Sequence, residues 1–284
     1  MKGVKKMRMT ESKSAGERTS FRTRYKKTFQ SAGQTIRRMF SITEDAASHE
    51  EIRDRLLSGG KVTGTNMCVM ICAIVIASVG LNTDSVAVII GAMLISPLMG
   101  SILAIAYGSV SNNASLVRQH VIGFVFQIAV SVLTAMIYFT LSPIKAPTAQ
   151  LLARTQPTFF DVLIAIAGGI AGIIGQTRKD KANNIIPGVA IATALMPPLC
   201  TCGYAIATRQ WAKLGLAAYL FAINTYFIFF SASVVLSLLR IPKVKEMTSA
   251  QWKKLRRRMI RNTVLIILPS IAITIIMFLS KDVQ

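Results

Sequence analysis

An apolar stretch with a proline at its centre occurs twice in this chain. The first copy, Val88–Tyr107, reads VIIGAMLISPLMGSILAIAY, and the second, Val189–Thr208, reads VAIATALMPPLCTCGYAIAT. A shift of 101 positions aligns them, and eight of the twenty aligned pairs are identical. Proline inside a helix removes one N–H and clashes with the carbonyl group four residues back. The sequence therefore predicts two helices that are broken at equivalent positions.

The two breaks predict polar backbone groups inside an apolar environment. The carbonyl groups of Met93, Thr193 and Ala194 lose their usual helical partners when Pro97, Pro197 and Pro198 follow them. In hydrocarbon, such carbonyl groups are tolerated only where they are buried in protein or line a polar cavity. Paired breaks of this kind are typical of transporters with one shared internal site. The alternative is a pair of kinked helices that only pack.

Composition places the chain in a membrane. Hydrophobic residues make up 52% of the sequence, and they gather in runs of about 20 residues, the length that crosses a bilayer. The net charge of +21 lies mainly before Gly64 and in Arg240–Arg261. Basic blocks that flank membrane helices indicate a cytoplasmic side and attraction to anionic lipid. No aromatic-interleaved basic patch accompanies them, so we expect no nucleic-acid partner.

Seven spanning segments are expected, and the two proline copies are the second members of two three-helix units. The fold class is therefore an all-α polytopic membrane protein with about seven transmembrane helices, arranged as two inverted three-helix repeats plus a C-terminal helix. Thr83 and Asp84 are expected to cap the second segment. The expected spans are approximately Gly64–Gly80, Ser85–Gly108, Val121–Leu141, Thr158–Gln176, Ile186–Ala207, Leu214–Leu239 and Asn262–Leu279.

An odd number of crossings in each unit makes the two units insert in opposite senses, with the N-terminus in the cytoplasm. In a rival topology each proline segment is a re-entrant hairpin, which places fewer loop lysines and arginines on the cytoplasmic side.

In chain order we expect a basic disordered cytoplasmic tail over residues 1–40, an amphipathic pre-membrane segment over 41–63, a first membrane repeat over 64–141, an extracytoplasmic loop over 142–157, a second membrane repeat over 158–239, a basic interfacial helix over 240–261 and a last transmembrane helix over 262–284.

The basic interfacial helix carries the candidate lipid-binding residues. Ser249–Ile260 places Trp252 and Leu255 on one helical face with lysines and arginines around it. We expect regulation by anionic lipid or, as the alternative, an anchor that sets the topology. The candidate lipid-binding residues are Trp252, Lys253, Lys254, Arg256, Arg257 and Arg258.

Polar, proline and glycine residues within the spans are the candidates for a solute or ion pathway, because polar groups are costly in lipid and face the protein interior. For Asp161 the alternative is a cap on the N-terminus of its own helix. For Gln127 and Asn224 the alternative is hydrogen bonding between helices. The candidate pathway residues are Gly91, Ser96, Pro97, Gly100, Gln127, Asp161, Thr193, Pro197, Pro198 and Asn224.

Enzyme chemistry is not expected, because the sequence lacks zinc-protease, nucleophile-elbow and Walker motifs and paired intramembrane aspartates. The four cysteines all lie in apolar runs and are interpreted as small buried hydrophobic residues rather than metal ligands or disulfides. We therefore expect no catalytic residues, no metal and no cofactor.

Four stretches resemble a known family. They are GLNTDSVAVIIGAMLISPLMGSILAIAYG (Gly80–Gly108), TQPTFFDVLIAIAGGIAGIIG (Thr155–Gly175), PGVAIATALMPPLC (Pro187–Cys200) and the later Asn224. Together they are similar to the uncharacterised hydrophobic membrane domain, the domain-of-unknown-function family numbered 389. The resemblance runs from about Gly64 to Leu239. It implies a polytopic membrane protein and carries no activity, substrate or site residue with it.

Two functions remain open at this point. The first is a transporter or channel for a small solute or ion, with its site where the two proline segments meet. The second is a membrane scaffold or lipid-responsive sensor that transports nothing and whose basic tails bind anionic lipid or a partner. A homo-oligomer is compatible with either function.

Overall fold

The computed structural model describes residues 46–179 and 185–244, with the backbone alone for residues 185–194, and single positions at 257, 261, 264, 268, 269 and 271. The chain divides into two compact units, Met1–Ala46 and Ala47–Gln284. Every described helix belongs to the second unit. The expected tail over residues 1–40 and the expected last span lie outside the described residues, apart from the single positions of that span.

Within the described residues the regular elements of the second unit are helices. Its helices are α1 (His49–Gly59), α2 (Gly64–Asn82), α3 (Val86–Leu94), α4 (Leu98–Val110), α5 (Ala114–Leu141), α6 (Ala149–Ala153), α7 (Phe159–Thr177), α8 (Ile185–Ala207) and α9 (Trp211–Leu238). Each of the first six expected spans coincides with a helix or, for Ser85–Gly108, with the consecutive helices α3 and α4.

Four of these helices, α2, α5, α7 and α9, are long and apolar enough to cross a membrane, and the bent pair α3 and α4 makes a fifth candidate. The part of α8 with described side chains, Leu195–Ala207, is apolar but shorter than a span. On α5 the apolar side chains of Ile122, Val125 and Phe126 are more than half exposed. Large outward apolar side chains on span-length helices indicate a lipid-facing surface, so the chain is a multi-pass helical membrane protein.

Helices α2, α5 and α8 finish at the same end of the bundle, here called end A. Asn82 at the end of α2 donates a hydrogen bond to Ser142 Oγ just after α5, at 2.7 Å. The Tyr204 hydroxyl near the end of α8 donates to the Lys145 carbonyl, also after α5, at 2.9 Å. These three helices are therefore parallel to one another.

Helices α4, α7 and α9 finish at the opposite end, here called end B, where α5 begins. The short turn through Asn113 joins α4 to α5. The Val244 amide, which follows α9, donates to the Ser111 carbonyl at 2.7 Å, and the Ala47 amide before α1 donates to the last residue of α7, Thr177, at 2.8 Å. Thus α4, α7 and α9 run antiparallel to α2, α5 and α8.

The pair α3 and α4 runs from end A to end B. Helix α3 starts beside the end of α2, where the Ser85 amide donates to the Gly80 carbonyl at 2.9 Å. The two helices bend by 47° at the break between them. Because a bend of less than a right angle keeps the chain moving toward end B, the pair is not folded back as a hairpin.

Helix α1, which lies in the amphipathic segment expected before the membrane, packs its apolar face against α4. Its side chains Ile52 and Leu56 are buried. At its end the backbone of Gly59 lies directly on Gly100 of α4, where an added Cβ would collide with the Gly59 carbonyl. Protein therefore covers the apolar face of this segment.

The turn before α3 corrects an expectation. The N-cap of α3 is Ser85, without a side-chain cap bond, rather than Thr83 or Asp84. Thr83 ends α2, and the Asp84 carboxylate accepts a hydrogen bond from the Gln150 amide of α6 at 3.0 Å. Asp84 has a positive φ of 55°.

Candidate functional site

The first proline segment is broken, as its sequence predicts. Pro97 occupies the N-cap of α4 and offers no side-chain acceptor to the first turn. Because Pro97 has no N–H, the Met93 carbonyl loses its partner four residues on. It instead accepts from the Ser96 amide at 3.3 Å. The orphan carbonyl expected here is therefore satisfied by a tighter turn.

The amide groups after the break remain available. Gly100 N bonds back to the Pro97 carbonyl at 3.2 Å, whereas Leu98 N and Met99 N have no acceptor among the described residues. The Ser96 hydroxyl oxygen is buried and makes no hydrogen bond with any described residue. The break thus leaves the Met93 carbonyl with a partner, while the Leu98 and Met99 amides and the Ser96 hydroxyl have none among the described residues.

The second proline segment is not broken, which corrects the prediction of two broken helices. Helix α8 continues through both Pro197 and Pro198. The Thr201 hydroxyl donates to the Pro197 carbonyl at 2.9 Å. Every residue from Leu195 to Ala205 is buried, so neighbouring helices hold this stretch on all sides. Packing of that kind permits proline within a membrane helix.

A series of contacts relates the depths of the two proline segments. Ser101 bonds to Gln127 at 2.8 Å. One turn further along α5, Ser131 contacts Met70. One turn further along α2, the Ile74 carbonyl lies 4.0 Å from the Cys200 sulfur.

These contacts place Pro97 and Pro198 at nearly equal depth. At 1.5 Å per residue, the two turns from the level of Ser101 to the level of Cys200 span about 12 Å. Pro97 lies four residues from Ser101 toward end A, and Pro198 lies two residues from Cys200 toward end B. The two prolines therefore differ in depth by only about 3 Å.

Two buried amides occupy the same position in two helices of equal length. Gln127 is the fourteenth residue of α5 and Asn224 is the fourteenth residue of α9, and both helices have 28 residues. Both side chains are buried. Gln127 accepts the hydrogen bond from Ser101, so the expected bonding between helices is observed there. The hydroxyl oxygen of Thr225, next to Asn224, is buried and has no partner among the described residues.

Asp161 lies at end A, at the start of α7, and away from the break. Its carboxylate accepts from the Thr158 amide at 2.7 Å and from the Thr158 hydroxyl at 2.8 Å, which closes a capping box. Burial lowers the pKa of the nearby Arg154 guanidinium, and the negative charge of Asp161 opposes that shift. The structure thus gives Asp161 the capping role that was the alternative to a pathway role.

Removal of this cap should cost stability and leave the interior of the bundle intact. We expect Asp161→Ala to lower the free energy of unfolding by about 1 kcal/mol, the usual value of a lost helix cap. Asp161→Asn, which keeps an acceptor oxygen, should lose less. Thermal unfolding of the purified protein in detergent measures both. Loss of solute flux at unchanged stability would instead assign Asp161 to the pathway.

The remaining candidates do not gather at one point. Gly91 faces open space on α3, while Gly100 is covered by α1. The side chain of Thr193 lies outside the described residues, as do Trp252, Lys253, Lys254, Arg256 and Arg258. Arg257 is exposed. In the part of the chain that the structure describes, no group of three or more histidines, cysteines or acids could hold a metal ion.

Two contacts within the bundle were missed from the sequence. The first is the Gly59–Gly60 turn, whose Gly60 carbonyl lies 3.1 Å from His120 Nδ1 of α5. The second is Tyr204, a buried aromatic residue whose hydroxyl reaches the loop after α5. The paired glycines before the first span were a usable signal for close backbone approach. Nothing local in the sequence indicates the partner of Tyr204.

Comparison with known proteins supports the family resemblance that the sequence stretches suggest. Residues 93–230 match the model of a family described as "Domain of unknown function (DUF389)". The uncharacterized protein MJ0678 of Methanocaldococcus jannaschii is 29% identical over 189 residues, which cover 66% of this chain and 57% of that relative. The chain thus matches little more than half the length of this curated relative. No solved structure matches it. The resemblance drawn from the sequence is confirmed.

Proposed function

We propose that this chain, whose residues 93–230 match the model of the DUF389 family of unknown function, is a transporter or channel for a small solute or ion. The observation that carries the proposal is the meeting of a broken helix and a proline-containing helix at one depth in a membrane bundle. Discontinuous helices near the midplane form the solute sites of many secondary transporters. The proposed site is the region between Ser96–Pro97 and Pro197–Pro198.

The directions of the helices support two inverted repeats. The first half, α2 to α5, runs to end A, back to end B and again to end A. The second half, α7 to α9, runs to end B, to end A and again to end B. Matching helices also have equal lengths, with 19 residues in α2 and α7 and 28 in α5 and α9. An inverted pair of three-helix units has these two properties.

The halves also begin alike. Thr63 caps α2 by accepting from the Asn66 amide at 3.3 Å, and Thr158 caps α7 through its third residue, Asp161. Helices from both halves pack across the boundary, α5 against α8 and α9 against α4. In each of these contacts the last helix of one half meets the second segment of the other half. These reciprocal contacts support a pseudo-twofold axis that relates the two halves and passes near the proline segments.

The distribution of charge supports a cytoplasmic end B. Positive side chains are denser there than at end A, and lysine and arginine are retained in the cytoplasm. Residues at or beside end B are Arg53, Arg55, Lys61, Arg118, Arg178, Lys179, Arg240 and Lys243, and those beside end A are Lys145, Arg154, Arg209 and Lys213. Under this proposal we expect a cytoplasmic N-terminal tail, seven spans of which the last covers residues 262–284, and anionic lipid as the partner.

Solute flux into proteoliposomes tests the proposal directly. We would measure entry of potassium, chloride, phosphate and glycerol as probes of cation, anion and neutral solute pathways. The controls are empty liposomes and liposomes that contain Pro97→Ala. Flux of any probe above both controls supports a pathway through the site. Binding to anionic vesicles with no flux of any probe would favour the second function, a lipid-responsive scaffold.

A further inference from the structure

The loop between the two halves, residues 142–157, folds back over end A and includes α6. We propose that this loop, hereafter the lid, closes the proposed site from end A and is latched to the second half by the Tyr204 hydroxyl. The inference rests on the proposed function, because a lid has a purpose only if a pathway lies beneath it. Its physical basis is a set of contacts that hold the lid firmly on one side and lightly on the other.

The lid is tied firmly to the first half. The Thr148 hydroxyl donates to the Leu81 carbonyl of α2 at 2.6 Å. The Gln150 amide donates to the Asp84 carboxylate at 3.0 Å. Asn82 donates to Ser142 at the start of the lid at 2.7 Å. These bonds join both ends of the segment that precedes α6 to the end of α2, so the lid moves with the first half.

An apolar side chain seals the lid onto the bundle. Leu151 of α6 is 1% exposed and belongs to the same core cluster as Leu81, Phe139 and Tyr204. Burial of a leucine side chain stabilises a protein by about 1.5–3 kcal/mol. The buried Leu151 side chain also leaves no room for water at this end of the bundle. Leu151 therefore acts as the apolar plug of the lid.

The hydrogen bond to the second half comes from Tyr204. Its hydroxyl donates to the Lys145 carbonyl at 2.9 Å, and its ring packs edge to face on Phe139 with centroids 5.2 Å apart. Lys145 is held in place because its ammonium group donates to the Phe139 carbonyl at 2.6 Å and to the Thr140 carbonyl at 2.8 Å. Tyr204 thus joins the lid to α8 by a hydrogen bond.

Separation of the two halves at end A must break this bond. If the halves move against each other, the lid stays with α2 and α5 while Tyr204 leaves with α8. Cys200 lies one turn beneath Tyr204 on α8, and both Cys200 and Cys202 are buried in the closed arrangement. Their thiols are therefore natural reporters of opening, since a buried thiol is inert and an exposed thiolate reacts.

The experiment measures thiol modification of the full chain in nanodiscs. Cys68 and Cys72, which are exposed, are first replaced by alanine so that only Cys200 and Cys202 can react. The probe is a charged, water-soluble methanethiosulfonate. Tyr204→Phe keeps the ring on Phe139 and removes only the hydroxyl. We expect labelling to become about 2- to 12-fold faster, the factor for the loss of one neutral hydrogen bond.

Tyr138→Phe is the matched control. The Tyr138 hydroxyl lies at the same end but contacts Asn82 within the first half, so its removal should leave the labelling rate unchanged. Thr148→Val removes the bond to the Leu81 carbonyl and the cap bond from the Leu151 amide without touching Tyr204. It should also speed labelling and provides the readout if Tyr204→Phe does not fold. Equal rates in the parent, Tyr204→Phe and Thr148→Val proteins would overturn the lid.

The result is independent of the transport assay, because labelling requires no solute. Faster labelling in Tyr204→Phe would support the lid even if no probe crosses the bilayer, and the absence of flux would then count against the transporter alone. Flux through a protein whose labelling rate is insensitive to Tyr204 and Thr148 would keep the transporter and contradict the lid.

Discussion

Replacement of Gly100 by alanine should detach α1 from the membrane bundle and destabilise the protein. The new Cβ would collide with the Gly59 carbonyl, which is backbone and cannot rotate away. Overpacking of a tight contact typically costs about 1–3 kcal/mol. We expect the melting temperature in detergent to fall and cleavage by trypsin after the exposed Arg53 to accelerate, because α1 is then released from α4.

Gly91→Ala is the matched control for this prediction. Gly91 lies in α3, the preceding helix of the same span, and nothing lies within 4 Å of the position that its Cβ would take. Alanine is favoured over glycine in a helix by about 0.5–1 kcal/mol, so this variant should be as stable as the parent or more stable. Equal destabilisation by the two substitutions would show that the contact of α1 with α4 contributes nothing.

The contact between Gly59 of α1 and Gly100 of α4 matters for the proposed function because it lies close to the break. Gly100 lies three residues after Pro97, and Gly60 packs on Ala104 of the same helix. Arg55 of α1 also donates to the carbonyl group of Arg178, at the end of α7. Helix α1 therefore links the end-B half of the broken span to the second half of the bundle. Under the proposed function, any change in α1 alters the freedom of α4 to move about the break.

The positions of the helices could be predicted from the sequence because each depends on a local property. Span length follows from the bilayer thickness, and the starts of α2 and α7 follow from their threonine caps. The capping box of Thr158 and Asp161 was within reach for the same reason. Helix α5 begins at Ala114, seven residues before the expected Val121, because its first two turns carry polar residues that hydropathy does not count as membrane.

The contacts between helices could not be predicted in the same way. The continuity of α8 through Pro197 and Pro198 depends on burial of Leu195 to Ala205 on all sides, which is a property of the assembled bundle. The docking of Gly59 on Gly100 joins residues that are 41 positions apart. One sequence shows that each glycine permits close approach and cannot show which backbone approaches it. The break at Pro97 could therefore be predicted from the sequence, whereas the continuous course of α8 could not.

The break at Pro97 is expected to be the feature that activity tolerates least. Pro97→Ala restores an N–H that can donate to the Met93 carbonyl four residues back, in place of the present bond from Ser96. Helices α3 and α4 should then join into one straighter helix, and the free amides of Leu98 and Met99 should find helical acceptors. We expect flux to fall to the level of empty liposomes while the protein stays folded.

The straightening itself can be measured. Spin labels at Val88→Cys and Ser109→Cys, both exposed positions, report the distance across the break. At 1.5 Å per residue, a bend of 47° gives a Cα separation of about 29 Å, and a straight helix gives about 32 Å. Lengthening by about 3 Å together with loss of flux would tie the pathway to the break. Lengthening with unchanged flux would contradict a site at the proline segments.

Pro198→Ala tests whether activity depends on the bend at Pro97 or on the presence of a proline in either segment. Helix α8 already continues through Pro198, so alanine there should fill a missing helical hydrogen bond without redirecting the chain. A proline inside a helix costs about 3 kcal/mol or more where the helix is otherwise free to form, so this variant should be at least as stable as the parent. Because no bend is removed, its flux should exceed that of Pro97→Ala. Equal loss of flux in both variants would mean that the site depends on the packing of the proline side chains. The 47° bend in the first segment would then not be the cause of activity.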